Sequence, residues 1–158
     1  MVANYEGNTI NIIDVSQDEY GNDSSTFGTT YTVPVGHNPA SVTVLADGSR
    51  AYVANQSDST VTIVNLISHT VEKTLPVYGH PRTVVSTQNS LYGKVYVGST
   101  DSQYVTIIRT DQDIISTNVL VQGNTCLLYT SHQACGDQGS GGSCSRCAGS
   151  QFPNNDPK

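Results

Sequence analysis

Ala51-Tyr52-Val53-Ala54-Asn55-Gln56-Ser57-Asp58-Ser59-Thr60-Val61-Thr62-Ile63-Val64-Asn65 decides the fold of this chain. It sets two short apolar runs, rich in β-branched residues, on either side of a polar segment. Such runs read as strands, and the polar segment between them reads as a hairpin turn. The pattern occurs again upstream, as Val2-Ala3-Asn4 followed by Thr9-Ile10-Asn11-Ile12-Ile13. It occurs downstream as Tyr96-Val97-Gly98-Ser99 followed by Tyr104-Val105-Thr106-Ile107-Ile108. A linker recurs as well: Pro34-Val35-Gly36-His37-Asn38-Pro39 matches Pro76-Val77-Tyr78-Gly79-His80-Pro81. Self-similarity about every 40–50 residues, built from short strands, is the signature of propeller blades. Each blade is a four-stranded sheet that buries its faces against its neighbours.

These residues resemble the YVTN-type β-propeller repeats, named for a Tyr-Val-Thr-Asn strand that continues into a second strand and a Pro-Val-Gly linker. The equivalents here are Tyr52-Val53-Ala54-Asn55, Thr60-Val61-Thr62-Ile63-Val64-Asn65 and Val33-Pro34-Val35-Gly36-His37-Asn38-Pro39. The third copy departs from the pattern, with Gly98-Ser99 where Ala-Asn stands earlier. The resemblance spans roughly residues 2–123 and implies an exported protein: periplasmic, secreted or at the cell surface. It implies no particular activity, because propellers share a scaffold and differ in what they bind.

The expectation is therefore an all-β partial β-propeller of about two and a half four-stranded antiparallel blades. The blades are read over residues 2–35, 39–77 and 81–122, within a repeat region 1–124. A closed propeller typically has about 4–8 blades, so the array is expected to belong to a longer protein. In the second blade the strands are read at Ala40–Ala46, Arg50–Asn55, Thr60–Leu66 and Thr70–Val77. Val61 and Ile63 are placed on the buried face. Asp47-Gly48 reads as a two-residue type I′ turn with positive φ at both positions. Glu72 and Lys73 charge the outer strand, a common guard against edge-to-edge pairing. No stretch sustains a helical period.

The chain of 158 residues carries a net charge of −6, and the excess acid lies in the repeat region. An acidic surface repels phosphate backbones, which argues against nucleic-acid binding. No apolar run approaches the roughly 20 residues of a membrane span. The loop Ser16 to Thr26, with Asp14, Asp18, Glu19 and Asp23, has no regular calcium-ligand spacing. It reads as an exposed, mobile, solvated loop.

Candidate ligand-binding residues lie in the loops that join one blade to the next: His37, Asn38, His80 and Arg82. In propellers of the resembled type such loops border the central channel. Two imidazoles there could bind a metal or act as acid and base. The plainer reading makes each His a loop residue bonded to nearby backbone, and the linker match sets the two one place out of register. His69 reads as solvent-exposed on the opposite face. No Gly-x-Ser-x-Gly elbow and no phosphate-binding glycine loop is present. These features favour a non-enzymatic scaffold for a protein or small-molecule ligand, without a cofactor. The alternative is a lactonase-like propeller hydrolase with a metal or His site at the channel mouth.

From Thr125 the texture changes to Gly, Ser and Gln, and all four cysteines appear: Cys126, Cys135, Cys144 and Cys147. With His132 nearby they could form a zinc site, although only one close pair exists. A disulfide pair in a secreted protein is a second option. A third is that Cys126-Leu127-Leu128-Tyr129-Thr130-Ser131 resembles the translated end of a sequencing adapter, which would remove residues 125–158 from fold reasoning.

Overall fold

The computed structural model describes residues 1–87, 93–123 and 125. The four cysteines, His132 and the adapter-like stretch lie outside the described residues. Eleven strands and no helix are present among those described. They form three antiparallel sheets in which sequence order equals spatial order.

The first sheet holds β1 (Val2–Asn4), β2 (Thr9–Ile13) and β3 (Thr30–Pro34). The second holds β4 (Pro39–Val44), β5 (Arg50–Asn55), β6 (Thr60–Asn65) and β7 (Thr70–Pro76). The third holds β8 (Pro81–Ser86), β9 (Lys94–Ser99), β10 (Tyr104–Arg109) and β11 (Ile114–Leu120). The expected strands are all present, with ends differing by a residue or two. Even the irregularities repeat. A register shift falls between Ile63 and Val64 in the second sheet and between Ile107 and Ile108 in the third. Another follows Pro39 and Pro81 in the two inner strands. Such bulges bend a strand and sharpen its twist, so each sheet acquires the same blade-like curl.

The second sheet is buried on both faces, where one buried face was expected for β6. Tyr52, Ala54, Val61, Ile63 and Leu75 pack against Val84, Val95, Val97 and Ile108 of the third sheet. Val53 and Val64, pointing the other way, pack with Ile10 and Val33 of the first. Side chains alternate across a strand, so a near-continuous apolar run supplies both cores. Each such side chain contributes about 1.5–3 kcal/mol of burial. The inner strands of the second and third sheets are also stitched together by polar groups. The Val84 N–H donates to Ser41 Oγ at 3.3 Å, and the Ser86 N–H donates to Thr43 Oγ1 at 3.2 Å.

Two turns differ from expectation. In the Asp47-Gly48 hairpin only Gly48 has positive φ, at 69°. The Gly48 N–H donates to Leu45 O at 2.9 Å, which closes a type I turn followed by a left-handed residue. Asp47 Oδ1 accepts from the Ser49 N–H, so the carboxylate braces the turn without entering the left-handed region itself. Four other tight turns end on non-glycine residues in that region: Asn8, Ser59, His69 and Asp113. The loop after β2 is exposed, as expected, but internally bonded. Asp18 Oδ1 accepts from the Tyr20 and Asn22 N–H groups at 2.9 and 2.8 Å. The bonds from Asn22, and after them the one from Tyr20, hold the Asp18 carboxyl below its ordinary range.

Candidate functional site

Antiparallel pairing brings the inter-sheet linkers and the β5–β6 and β9–β10 turns to one end of the molecule. Pro39 pairs with Asn55, Asn55 with Thr60, and Thr60 with Pro76. The third sheet repeats this through Pro81 and Ser99. All four candidate residues therefore lie at this end.

The two histidines have the same environment. The His37 N–H donates to Asp58 Oδ2 at 2.7 Å, and its ring Nδ1 lies 2.8 Å from Asp58 Oδ1. The His80 N–H donates to Asp101 Oδ1 at 2.7 Å, and its Nδ1 lies 2.5 Å from Asp101 Oδ2. Each aspartate is 21 residues after its histidine. The backbone N–H, and after it the imidazole, holds each carboxyl below the usual Asp value. Both rings are well exposed, at 69% and 55% of their side-chain surface.

The preceding glycines are dictated by this contact. A Cβ on Gly36 would lie 2.7 Å from Asp58 Oδ2 and from the Asn55 amide. A Cβ on Gly79, where φ is +67°, would lie 2.6 Å from Asp101 Oδ1. The structure thus superposes Gly36-His37 on Gly79-His80. The flanking prolines keep their places, Pro39 opposite Asn55 and Pro81 opposite Ser99, because Tyr78 added before one pair offsets Asn38 added after the other.

Asn38 is used internally. At φ +52°, its N–H donates to Asn8 Oδ1 and its Nδ2 to Tyr5 O. Its Oδ1 accepts from Ser57 Oγ at 2.6 Å, and its carbonyl accepts from the Gln56 N–H. This one residue ties the first sheet, the linker and the β5–β6 turn together.

Arg82 remains exposed. It borders a cleft of about 320 Å³ with Tyr5, Pro39, Ala40 and Gln56. The Tyr5 hydroxyl donates to Gln56 Oε1 at 3.2 Å across the seam of the first two sheets. Asp58, Asp101, Tyr5 and Gln56 were not singled out from the sequence. Among the described residues no group of three or more His, Cys, Asp or Glu could hold a metal ion.

The opposite end holds a different cluster. The buried Tyr52 hydroxyl and the Arg50 guanidinium both reach the Asp113 carboxylate. Arg50 Nη2 also donates to Thr110 O at 2.8 Å, and Lys73 Nζ donates to Asp113 O at 2.8 Å. Burial, followed by the hydrogen bond to Asp113, pushes the Tyr52 phenol far above its ordinary value. His69 is at this end, as expected, but half-buried: its ring stacks on Tyr31 with centroids 3.8 Å apart.

No known protein family matches the chain by sequence, and no curated protein does. Solved structures do match. Apo AztD from Citrobacter koseri aligns with a TM-score of 0.59 at 13% identity, over 77% of this chain and 31% of that one. Hydrazine synthase of Kuenenia stuttgartiensis aligns at 0.57 and 15% identity, over 75% and 32% of the two chains. A protein of unknown function from Desulfotomaculum acetoxidans aligns at 0.56 and 22% identity, over 75% and 35%. These are propeller-type folds, and this chain spans about a third of each. At such identities the likeness concerns fold alone.

Proposed function

We propose that this propeller-type chain is a non-enzymatic binding scaffold, which offers its linker end to a protein or small-molecule ligand. The observation that carries the reading is the repetition of the His–Asp pair. A catalytic constellation is assembled once per active site from groups with different tasks. Here the same pair recurs in both linkers, with the same backbone bond to the same carboxylate, and fastens a linker to a hairpin turn. That is how a repeat array secures each unit. In contrast, Arg82 beside Tyr5 and Gln56 supplies an exposed cation and hydrogen-bonding groups over a shallow cleft, which suits ligand contact. The structures of like fold bear names as different as AztD and hydrazine synthase, so the fold supports no single chemistry.

Export to the periplasm, cell surface or medium follows from the YVTN resemblance and belongs to the same proposal. The Cys126–Ser131 stretch is read as translated adapter DNA, so the four cysteines from there on are given no role. Long-read sequencing across the codons for Gly123 to Ser131 tests that point.

The functional test sets the full chain, with and without zinc or calcium, against a simple γ-lactone. No hydrolysis above the uncatalysed rate is expected, while His37→Asn and His80→Asn lower the melting temperature. Lactone turnover that His37→Asn abolishes would overturn the scaffold reading.

A further inference from the structure

We propose that the groove between the first and second sheets binds a small, uncharged, polyhydroxylated ring of the pyranose or cyclitol kind. This site is separate from the Arg82 cleft. The groove is open to solvent and has a volume of about 490 Å³, within the usual range of small-molecule pockets, about 300–1,000 Å³. Asp58, Thr60, Thr62 and Thr74 supply its polar lining, and Val35 and Val71 its apolar lining. Hydroxyls and a carboxylate around apolar walls suit a sugar ring, which has polar edges and C–H faces. No Lys or Arg lines the groove, so an anion would meet the Asp58 carboxylate without a counter-charge.

Hydrogen bonds behind the groove take up part of the acceptor capacity of its hydroxyls. The fully buried Asn55 donates its two amide hydrogens to Thr60 Oγ1 at 3.0 Å and Thr62 Oγ1 at 2.7 Å. Both hydroxyls have thus accepted on the protein side, and their own hydrogens are directed elsewhere. Thr62 Oγ1 lies 3.5 Å from Thr74 Oγ1, a contact in which either hydroxyl can donate. Thr60 and Thr74 both present hydroxyls to the groove, that of Thr60 with one lone pair already taken by Asn55. Asp58 presents the acceptor through Oδ1, which faces His37 Nδ1 alone and keeps a second lone pair, whereas Oδ2 takes the His37 N–H and also lies 3.1 Å from Nδ1. A vicinal diol can accept from a threonine and donate to the aspartate at once.

The repeat itself indicates what fits. In the third sheet Tyr104 occupies the register position of Thr60, since each opens the third strand of its blade. The added linker residue Tyr78 brings a second phenol beside it, with ring centroids 5.2 Å apart. Six-membered rings thus occupy the corresponding place between the second and third sheets. Between the first and second sheets the chain has threonine and valine there and leaves the space to a ligand.

The test is an amide-resolved NMR titration of the full chain with methyl α-D-glucopyranoside and, separately, with myo-inositol. Saturable shifts of the Gly36, Thr60 and Thr74 amides are expected with at least one of them. Thr60→Tyr, which installs the ring found at Tyr104, should weaken binding roughly tenfold or more. Thr74→Val, an exposed and shape-conserving change, should weaken it several-fold without altering the fold. Absence of saturable shifts with both probes overturns the proposal. So do shifts that survive both substitutions, or shifts confined to the Arg82 cleft, which would leave the scaffold reading intact.

Discussion

The buried hydroxyl of Tyr52, in the middle sheet, donates its hydrogen to the carboxylate of Asp113, in the last hairpin turn of the third sheet. Arg50 shares that carboxylate from the same strand. The two side chains clamp the outer hairpin of one sheet onto the face of the next, where a phenol alone would be buried without a partner. Tyr52→Phe removes one bond and leaves the ion pair, so a loss of about 1–2 kcal/mol is expected. Asp113→Ala strands both the phenol and the guanidinium and should cost roughly 3–5 kcal/mol. Urea unfolding of the two variants checks the order, and equal losses would show that the ion pair contributes nothing.

The paired aspartates at the linker end make stability depend on pH. Both Asp58 and Asp101 lie below the ordinary Asp value of 3.8, chiefly because they accept backbone N–H groups from His37 and His80. A carboxyl depressed in the folded state contributes stability above its unfolded value and loses it as pH falls through the folded value. The melting temperature should therefore drop as pH falls below about 4. Asp14 and Asp18 are lowered by bonds within their own loop and add to the same limb. In the Asp58→Asn/Asp101→Asn double variant the acid limb should be shallower than in the parent. Identical limbs would mean that these bonds do not form in solution.

Strands and turns were legible because they rest on local pattern. The short apolar runs and the polar segments between them fix both elements, and the two cores follow from side chains pointing to opposite faces of each strand. The linker register was not legible from the prolines, because Pro39 and Pro81 keep their places while the Gly-His pair before them shifts by one residue. What the molecule holds constant is Gly-His on an Asp-Ser dipeptide 21 residues later, Asp58-Ser59 and Asp101-Ser102. That signal was in the sequence, hidden inside turns that read as merely polar. The Arg50–Tyr52–Asp113 cluster joins residues more than 60 positions apart, and no local pattern announces such a contact. The double burial of β6 likewise depends on having a sheet on each side.

Asn38 and Arg82 were singled out together, and the structure separates them. Asn38 adopts φ +52° and spends its side chain on Tyr5 and Ser57. Asn38→Ala loses both bonds and places alanine in a left-handed conformation that asparagine tolerates better. A loss of about 2–3 kcal/mol is expected. Arg82→Ala removes an exposed side chain and should change stability by less than about 0.5 kcal/mol. Denaturant melts of both variants, run side by side, distinguish the fastening residue from the one available to a ligand. A large loss for Arg82→Ala would place it among the fasteners.

Gly79 offers the sharpest test of the His–Asp fastening, because backbone and space both exclude a side chain there. Its φ is +67°, and an added Cβ would meet Asp101 Oδ1 at 2.6 Å and Ser102 Cβ at 2.8 Å. Gly21 has a similar φ of +82° with nothing within 4 Å. Gly21→Ala therefore measures the conformational cost alone, about 1 kcal/mol. Gly79→Ala adds the displacement of Asp101 from His80 and should cost roughly 2–4 kcal/mol in all. Combining Gly79→Ala with Asp101→Ala should recover part of that difference, because the atom in the way is then gone and the pair shares one contact. Thermal or urea melts of Gly79→Ala, Asp101→Ala, the double variant and the parent complete the cycle. Strict additivity would show that Gly79 is required for its backbone alone and that Asp101 does not press on it.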